Sequence, residues 1–326
     1  MIYPWQQEQW RKLMQLKQAQ RMPHAVLLYG EEGSGKADFA RSLSASMLCQ
    51  QPLDNGEACG SCSSCKLITA QTHPDLSYLM PVPPEKTSSK KPVLNIRIND
   101  IRKLCSRLSS TSQFEGYRVA IIQNADKMLV QAANALLKTL EEPGALTLIV
   151  LVTSRPHRLP ITVRSRCQSL RFPTPADDVA LAWLQAQGHK SPEVALKFAH
   201  GAPLIALNQH QESLEQRELL AKALLAGING ESSLNYSAKL ANLPKEVAMA
   251  WLLDWVNDLV RLKNTDFSSP IINEINRPQL AKLAQKSDLT RIFAFNDLVT
   301  SYIRKETIAL NLQLVWENLL ISWDSL

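Results

Sequence analysis

The sequence predicts an α/β first half, a parallel sheet of five strands covered by helices, followed by an all-helical remainder. Up to about residue 172, short apolar runs alternate with helical patterns, as strands alternate with crossover helices in a parallel sheet. Two of those runs, "RVAIIQ" (118–123) and "LTLIVLVT" (146–153), are apolar without alternation, the mark of central strands buried on both faces. Beyond "FPTPADD" (172–178) no strand-like run occurs, and "DDVALAWLQAQ", "VAMAWLLDWVNDLVRLK" and "LNLQLVWENLLISW" carry apolar residues at helical spacing.

Taken in order, "AVLLY" (25–29) reads as the first strand and "KADFARSLSASML" (36–48) as a helix. "LSYLM" (76–80) is the second strand, and "PVPPEKTSSKKP" (81–92), rich in Pro, Ser and Lys, is an exposed loop. A helix begins near Asn99 or Asp100, and "AANALLKTLEE" places Ala133, Leu136, Leu137 and Leu140 on one stripe that Pro143-Gly144 terminates. "QSLRF" (168–172) is the last strand. The two prolines and possible Asp cap of "FPTPADD" mark a boundary, and the polar "HQESLEQRE" near 210 a second one. The expected domains are 1–174, a small helical lid at 175–208 and a C-terminal helical collar at 209–326. With 326 residues the chain has room for them, at roughly 100–150 residues per typical domain.

Apolar residues make up 45% of the chain, yet no run approaches the ~20 residues of a membrane span. The start, "MIYPWQQEQWRKLMQ", lacks the layout of a secretory signal, so a cytoplasmic protein with reduced thiols is expected. Up to Pro175 there are 22 basic and 13 acidic residues, against 14 and 17 beyond it, so the halves carry +9 and −3. That asymmetry suits a polyanion or phosphates on the first half, and equally a solvated basic face.

"GEEGSGKADFA" (30–40) nearly spells a phosphate-binding loop, with Gly30, Gly33, Gly35 and Lys36 between a strand and a helix. In that context backbone N–H groups and the Lys ammonium can meet phosphates; the alternative is a chance glycine turn. Ala37 stands where a Ser or Thr hydroxyl would ligate Mg²⁺, and Gln123 and Asn124 stand where acids would hold the metal and orient water. Asp126, three residues later, reads as a surface or capping residue. The loop is therefore expected to leave ATP binding open, without a functional Mg²⁺ site or hydrolysis.

Cys49, Cys59, Cys62 and Cys65 follow a C-x9-C-x2-C-x2-C spacing in a Gly/Ser-rich turn. Four thiolates suit a closed tetrahedral Zn²⁺ site, a structural staple, ahead of disulfides, a redox pair or idle thiols. Cys105 reads as a core residue and His73, in "THPDLSYL", as a turn cap. From Pro143 to Ala176 no acid occurs, while Arg155, Arg158, Arg164, Arg166 and Arg171 do. They are either solvated or include one that reaches a γ-phosphate on a neighbouring subunit.

The four-cysteine insertion after the loop helix, "THPD", "NALLKTLEEP" (134–143) and "SRC" (165–167), in that order, resemble the δ′ family of bacterial DNA polymerase III clamp-loader subunits, relatives of AAA+ ATPases. The resemblance covers residues 20–172 closely and the remainder in general character. It implies an AAA+ core and a ring shared with motor subunits (tau/gamma) and a delta subunit, which loads the sliding clamp onto primed DNA. It also implies membership of a polymerase holoenzyme, no ATPase activity of its own, and a trans-acting arginine finger at Arg166. Leu204, where motor subunits of the family carry a lid arginine, departs in the same direction as Ala37. Two other classes compete: an ATPase with atypical Mg²⁺ ligands, and a nucleic-acid binder using the basic first half and the zinc module, whose nearest basic residue is Lys66.

Overall fold

A computed structural model describes residues 2–83, 94–114, 116–208, 211–265, 269–304 and 311–326; most of the loop expected at 81–92 lies outside them. Strands β1 (Ala25–Gly30), β2 (Leu76–Leu79), β3 (Arg118–Ile122), β4 (Thr147–Thr153) and β5 (Gln168–Phe172) form one parallel sheet in the order β2-β3-β4-β1-β5. All seven residues of β4 are buried, as a mid-sheet strand covered on both sides requires.

Side chains alternate across the sheet and so divide its core in two. Val26, Leu28, Val119, Ile121, Leu148 and Val150 face helices α1 (Gln7–Gln18) and α2 (Lys36–Leu48), which contribute Trp10, Leu13, Phe39 and Leu43. Leu27, Ala120, Ile122, Ile149 and Leu151 face the other way. There they meet Ile101 and Leu104 of α4 (Ile98–Ser109), Leu136 and Leu140 of α5 (Val130–Glu141) and Val163 of α6 (Ile161–Arg164). Between α2 and β2 the short α3 (Ser63–Thr69) carries the last of the clustered cysteines.

After β5 come α7 (Asp177–Ala186), α8 (Pro192–Phe198) and α9 (Pro203–Leu207), whose Ala180, Trp183, Leu184, Leu196 and Ala206 form a small core. Tyr3 and Trp5 from the chain start pack against it. The rings of Tyr3 and Trp5 stack at 5.0 Å, and each meets Trp183 edge-on. The chain divides into two compact units, Met1–Leu207 and Asn208–Leu326, so these three helices belong with the sheet.

The second unit comprises α10 (Gln211–Leu225), α11 (Ser237–Leu240), α12 (Lys245–Asn264), α13 (Arg277–Lys286), α14 (Leu289–Arg304) and α15 (Leu312–Asp324). The division between the units falls at Leu207/Asn208, beside the polar stretch near 210, most of which forms the first part of α10, the helix that goes on to bury Leu220 and Leu224. Trp255, Leu259, Trp316 and Trp323 dominate the core. Inside it Asp258 is fully buried and accepts bonds from Ile272 N, Asn273 N and Asn273 Nδ2 at 2.8–2.9 Å, which hold the chain after α12. No strand occurs after Phe172 among the described residues.

Candidate functional site

The phosphate-type loop leaves β1 and enters α2 with Gly35 in the left-handed region at φ 81°. Its surroundings are crowded. A Cβ on Gly35 would lie 2.6 Å from the Tyr3 ring, and one on Gly33 2.6 Å from Ile205 of α9, so side chains of this chain cover both glycines. Gln6 Nε2 and Trp5 Nε1 donate to the Ser34 carbonyl at 2.8 and 3.0 Å, and Leu204 N donates to the Gly33 carbonyl at 3.3 Å. Lys36 is 5% exposed and turns back on its own loop, with Nζ donating to the Glu31 carbonyl at 2.6 Å and to Ser34 Oγ at 3.3 Å. Burial draws its pKa down to about 8, opposed by Glu32, Glu31 and Asp126.

At the end of β3, Gln123 Oε1 accepts from the Tyr78 hydroxyl, which in turn accepts from Arg41 at 3.1 Å. Arg41 pairs with Asp38 at 3.0 Å, and Asp38 accepts from the Tyr3 hydroxyl at 3.0 Å. The neutral amide is thus tied into a network that ends on the residue covering Gly35. Asp126 departs from the sequence expectation of a surface or capping group. Asn124 adopts a left-handed conformation at φ 50°, a short turn follows, and the half-buried Asp126 accepts from Thr153 Oγ1 at 2.6 Å at the end of β4. A residue-by-residue count along an extended strand misses this, because the turn shortens the path.

The cysteines come together as a cluster. The Sγ atoms of Cys49, Cys59, Cys62 and Cys65 all lie within 4.8 Å of one another, with Cys49–Cys62 at 3.9 Å and Cys59–Cys65 at 4.0 Å. Corners of a tetrahedron with ~2.3 Å metal–sulfur bonds are about 3.8 Å apart, so the set fits a zinc ion. Backbone N–H groups of Cys59, Cys62 and Cys65 point at Sγ of Cys49, Cys59 and Cys62 at 3.3–3.5 Å and stabilise negative sulfur. Hydrogen bonds from Ser61 and Cys62 pull the Cys59 thiol down to about 6, whereas burial pushes Cys65 up to about 12. A bound cation would hold all four as thiolates at this spacing.

His73 does more than cap a turn. Its Nδ1 accepts from Asp75 N at 3.1 Å, so Nε2 carries the proton and faces Ser64 Oγ at 2.9 Å, while Ser64 donates to the Leu48 carbonyl at 2.7 Å. Ser64 thus fastens α3, and with it Cys65, to the end of α2, and the "THPD" histidine ties the same serine to the segment before β2. Asp75 accepts from Ser112 Oγ, Gln113 N and Phe114 N at 3.0–3.1 Å and holds the approach to β3. Cys105 lies partly buried against the sheet core.

Arg166 is not near the loop. Register places Phe172 beside Gly30 and Gln168 beside Val26. Arg166 precedes Gln168, so it sits beyond the opposite end of the strands, roughly 15–20 Å from the loop along the strand direction. Its Nη2 pairs with Glu141 Oε1 at 2.5 Å, its Nη1 donates to the Thr162 carbonyl at 2.9 Å, and its side chain is 35% exposed. Of the other arginines, Arg155 donates its backbone N–H to Thr153 Oγ1 at 2.9 Å, and Arg171 lies within β5. Among the described residues no helix is long and apolar enough to cross a membrane.

A family model described as "DNA polymerase III, delta subunit" matches residues 5–176, and one described as "DNA polymerase III, delta subunit, C terminal" matches residues 211–325. A relative in Pseudomonas aeruginosa named DNA polymerase III subunit delta′ is 33% identical over all of this chain and 98% of its own length. The subunit delta′ of Escherichia coli K12 is 32% identical over 79% of this chain and 76% of its own. Among solved structures, a gamma subunit-related protein of DNA polymerase III from Thermotoga maritima aligns with 96% of this chain and 98% of its own at 20% identity and a TM-score of 0.49.

Proposed function

Since the chain belongs to the DNA polymerase III subunit delta′ family, we propose that it is a non-hydrolysing subunit of that polymerase's clamp loader. In this reading it sits in a cytoplasmic ring with the tau/gamma motor subunits and delta, and helps place the sliding clamp on primed DNA. Its first 174 residues act as an AAA+ domain, 175–208 as a lid and 209–326 as the oligomerising collar. Cys49, Cys59, Cys62 and Cys65 hold a structural zinc ion. Arg166 contributes to ATP hydrolysis on an adjacent subunit.

The observation that carries this reading is the polarity of the sheet. An arginine at the end of the strands opposite the phosphate-type loop is too far to serve a nucleotide on its own chain, yet it can serve one presented across a subunit boundary. There a guanidinium neutralises charge developing on the transferred γ-phosphoryl group, an effect worth ~10³ to 10⁵ in rate for such fingers. The loop supports the non-hydrolysing half of the reading. Lys36 is bound to Glu31, Tyr3 and Ile205 cover the glycines, and neither Ala37 nor Gln123 offers Mg²⁺ an anionic oxygen. The competing ATPase reading predicts phosphate release by the purified chain alone. The nucleic-acid reading predicts strong, salt-dependent affinity of the isolated chain for primed DNA.

Complexes reconstituted with Arg166→Ala test the assignment. DNA-stimulated ATP turnover is expected to fall at least ~tenfold with assembly intact. Normal turnover in a normally assembled complex overturns it.

A further inference from the structure

Glu141 is the last helical residue of α5, and Glu142 follows it. Carboxylates there meet the negative end of the helix dipole, so α5 gains nothing from them. The Glu141 side chain is used elsewhere: its Oε1 lies 2.5 Å from Arg166 Nη2, across to the connection between α6 and β5. On the other side of the guanidinium, Nη1 donates to the Thr162 carbonyl at 2.9 Å. Two of the five guanidinium N–H donors are therefore committed within the chain, and their fork defines the plane of the group.

The geometry points to Glu141 as the positioning residue of Arg166, holding the guanidinium in a fixed orientation so that its remaining donors meet phosphate oxygens on the neighbouring subunit. The inference rests on the finger reading given above. A flexible arginine must lose rotamer freedom when it meets a phosphate, and one already held by a carboxylate and a carbonyl has lost it beforehand. Catalysis gains from such preorganisation because the transition state demands tight placement. Both partners are partly exposed, with side chains 35% and 49% accessible, so solvent moderates the pair and its effect is a factor of about two to five.

The test is a double-mutant cycle in reconstituted clamp-loader complexes containing the full chain as wild type, Glu141→Gln, Arg166→Ala or both. Glu141→Gln is expected to lower the kcat of DNA-stimulated ATP hydrolysis about two- to fivefold, with KM for ATP and assembly unchanged. Added to Arg166→Ala, it is expected to change nothing further. Glu141→Asp, which keeps the charge, is expected to retain more turnover than Glu141→Gln. A wild-type kcat in Glu141→Gln overturns the positioning role, as does an equal factor lost in both backgrounds or equal losses in the Asp and Gln variants. If Arg166→Ala by itself leaves turnover intact, the finger reading fails in that arm and the positioning role falls with it.

Discussion

A buried ammonium with a carbonyl and a hydroxyl for partners is costly, and Lys36 is in that position. The folded chain releases its proton near pH 8, the unfolded chain near 10.5. Between those values the unfolded state binds more protons, so the stability contribution of this position rises with pH across that window, by at most ~3 kcal/mol. Comparing the wild type with Lys36→Met by denaturant unfolding at pH 8 and pH 10 isolates the effect. The difference is expected to move toward the wild type at the higher pH, and a pH-independent difference would show that Lys36 is solvated. The Tyr3 hydroxyl, pushed up to about 12 by burial and by Asp38, acts in the opposite sense above pH 10 but is common to both chains. The missing hydroxyl at Ala37 and the amides Gln123 and Asn124 are plain in the sequence, because a spacing rule locates them. The opposed placement of Asp126 is not, since it depends on the left-handed turn at Asn124.

Elements decide what the loop can reach. The aromatic start of the chain and the short helix α9 come from opposite ends of the first unit, yet both cover the same five-residue turn. Tyr3 and Ile205 occupy the space that side chains at Gly35 and Gly33 would need, and Gln6 and Trp5 bond the Ser34 carbonyl between them, so the two elements sit close against the loop. Millimolar ATP is therefore expected to leave the thermal midpoint of the isolated chain unchanged. A ligand at a hundred times its Kd would stabilise the fold by about 2.7 kcal/mol, which is several degrees for a unit of this size. A shift of that kind in differential scanning fluorimetry would mean that Tyr3 and α9 give way to nucleotide. The strands were legible almost to the residue, because a period of two and continuous apolar runs are local signals. The cover was not, because "YPW" and "PLIAL" carry no pattern that names their target.

At the scale of the whole molecule there are two units, each with its own apolar core, Met1–Leu207 and Asn208–Leu326. The cysteine cluster belongs to the first, fixed to the end of α2 through Cys49 and, by way of Ser64 and His73, to the segment before β2. Removing zinc with a strong chelator, or replacing Cys62 by Ser, is expected to lower the unfolding transition of the first unit by ~5 °C or more. The transition of the second unit is expected to stay in place. Calorimetry resolves the two, and a chelator that moves neither, together with metal analysis finding no zinc, would remove the staple.

What the sequence determined by itself is everything carried by spacing and period: the strand order in the chain, the helical second half, the four sulfurs within reach of one ion, and the uncharged residues at 37, 123 and 124. Tertiary structure alone decided that Tyr3 and Ile205 close over the loop, that Asp126 returns to β4, and that Glu141 grips Arg166. These are meetings between residues remote in the chain or beyond a turn. They are set by how layers pack and in which direction strands run, and no local pattern records either.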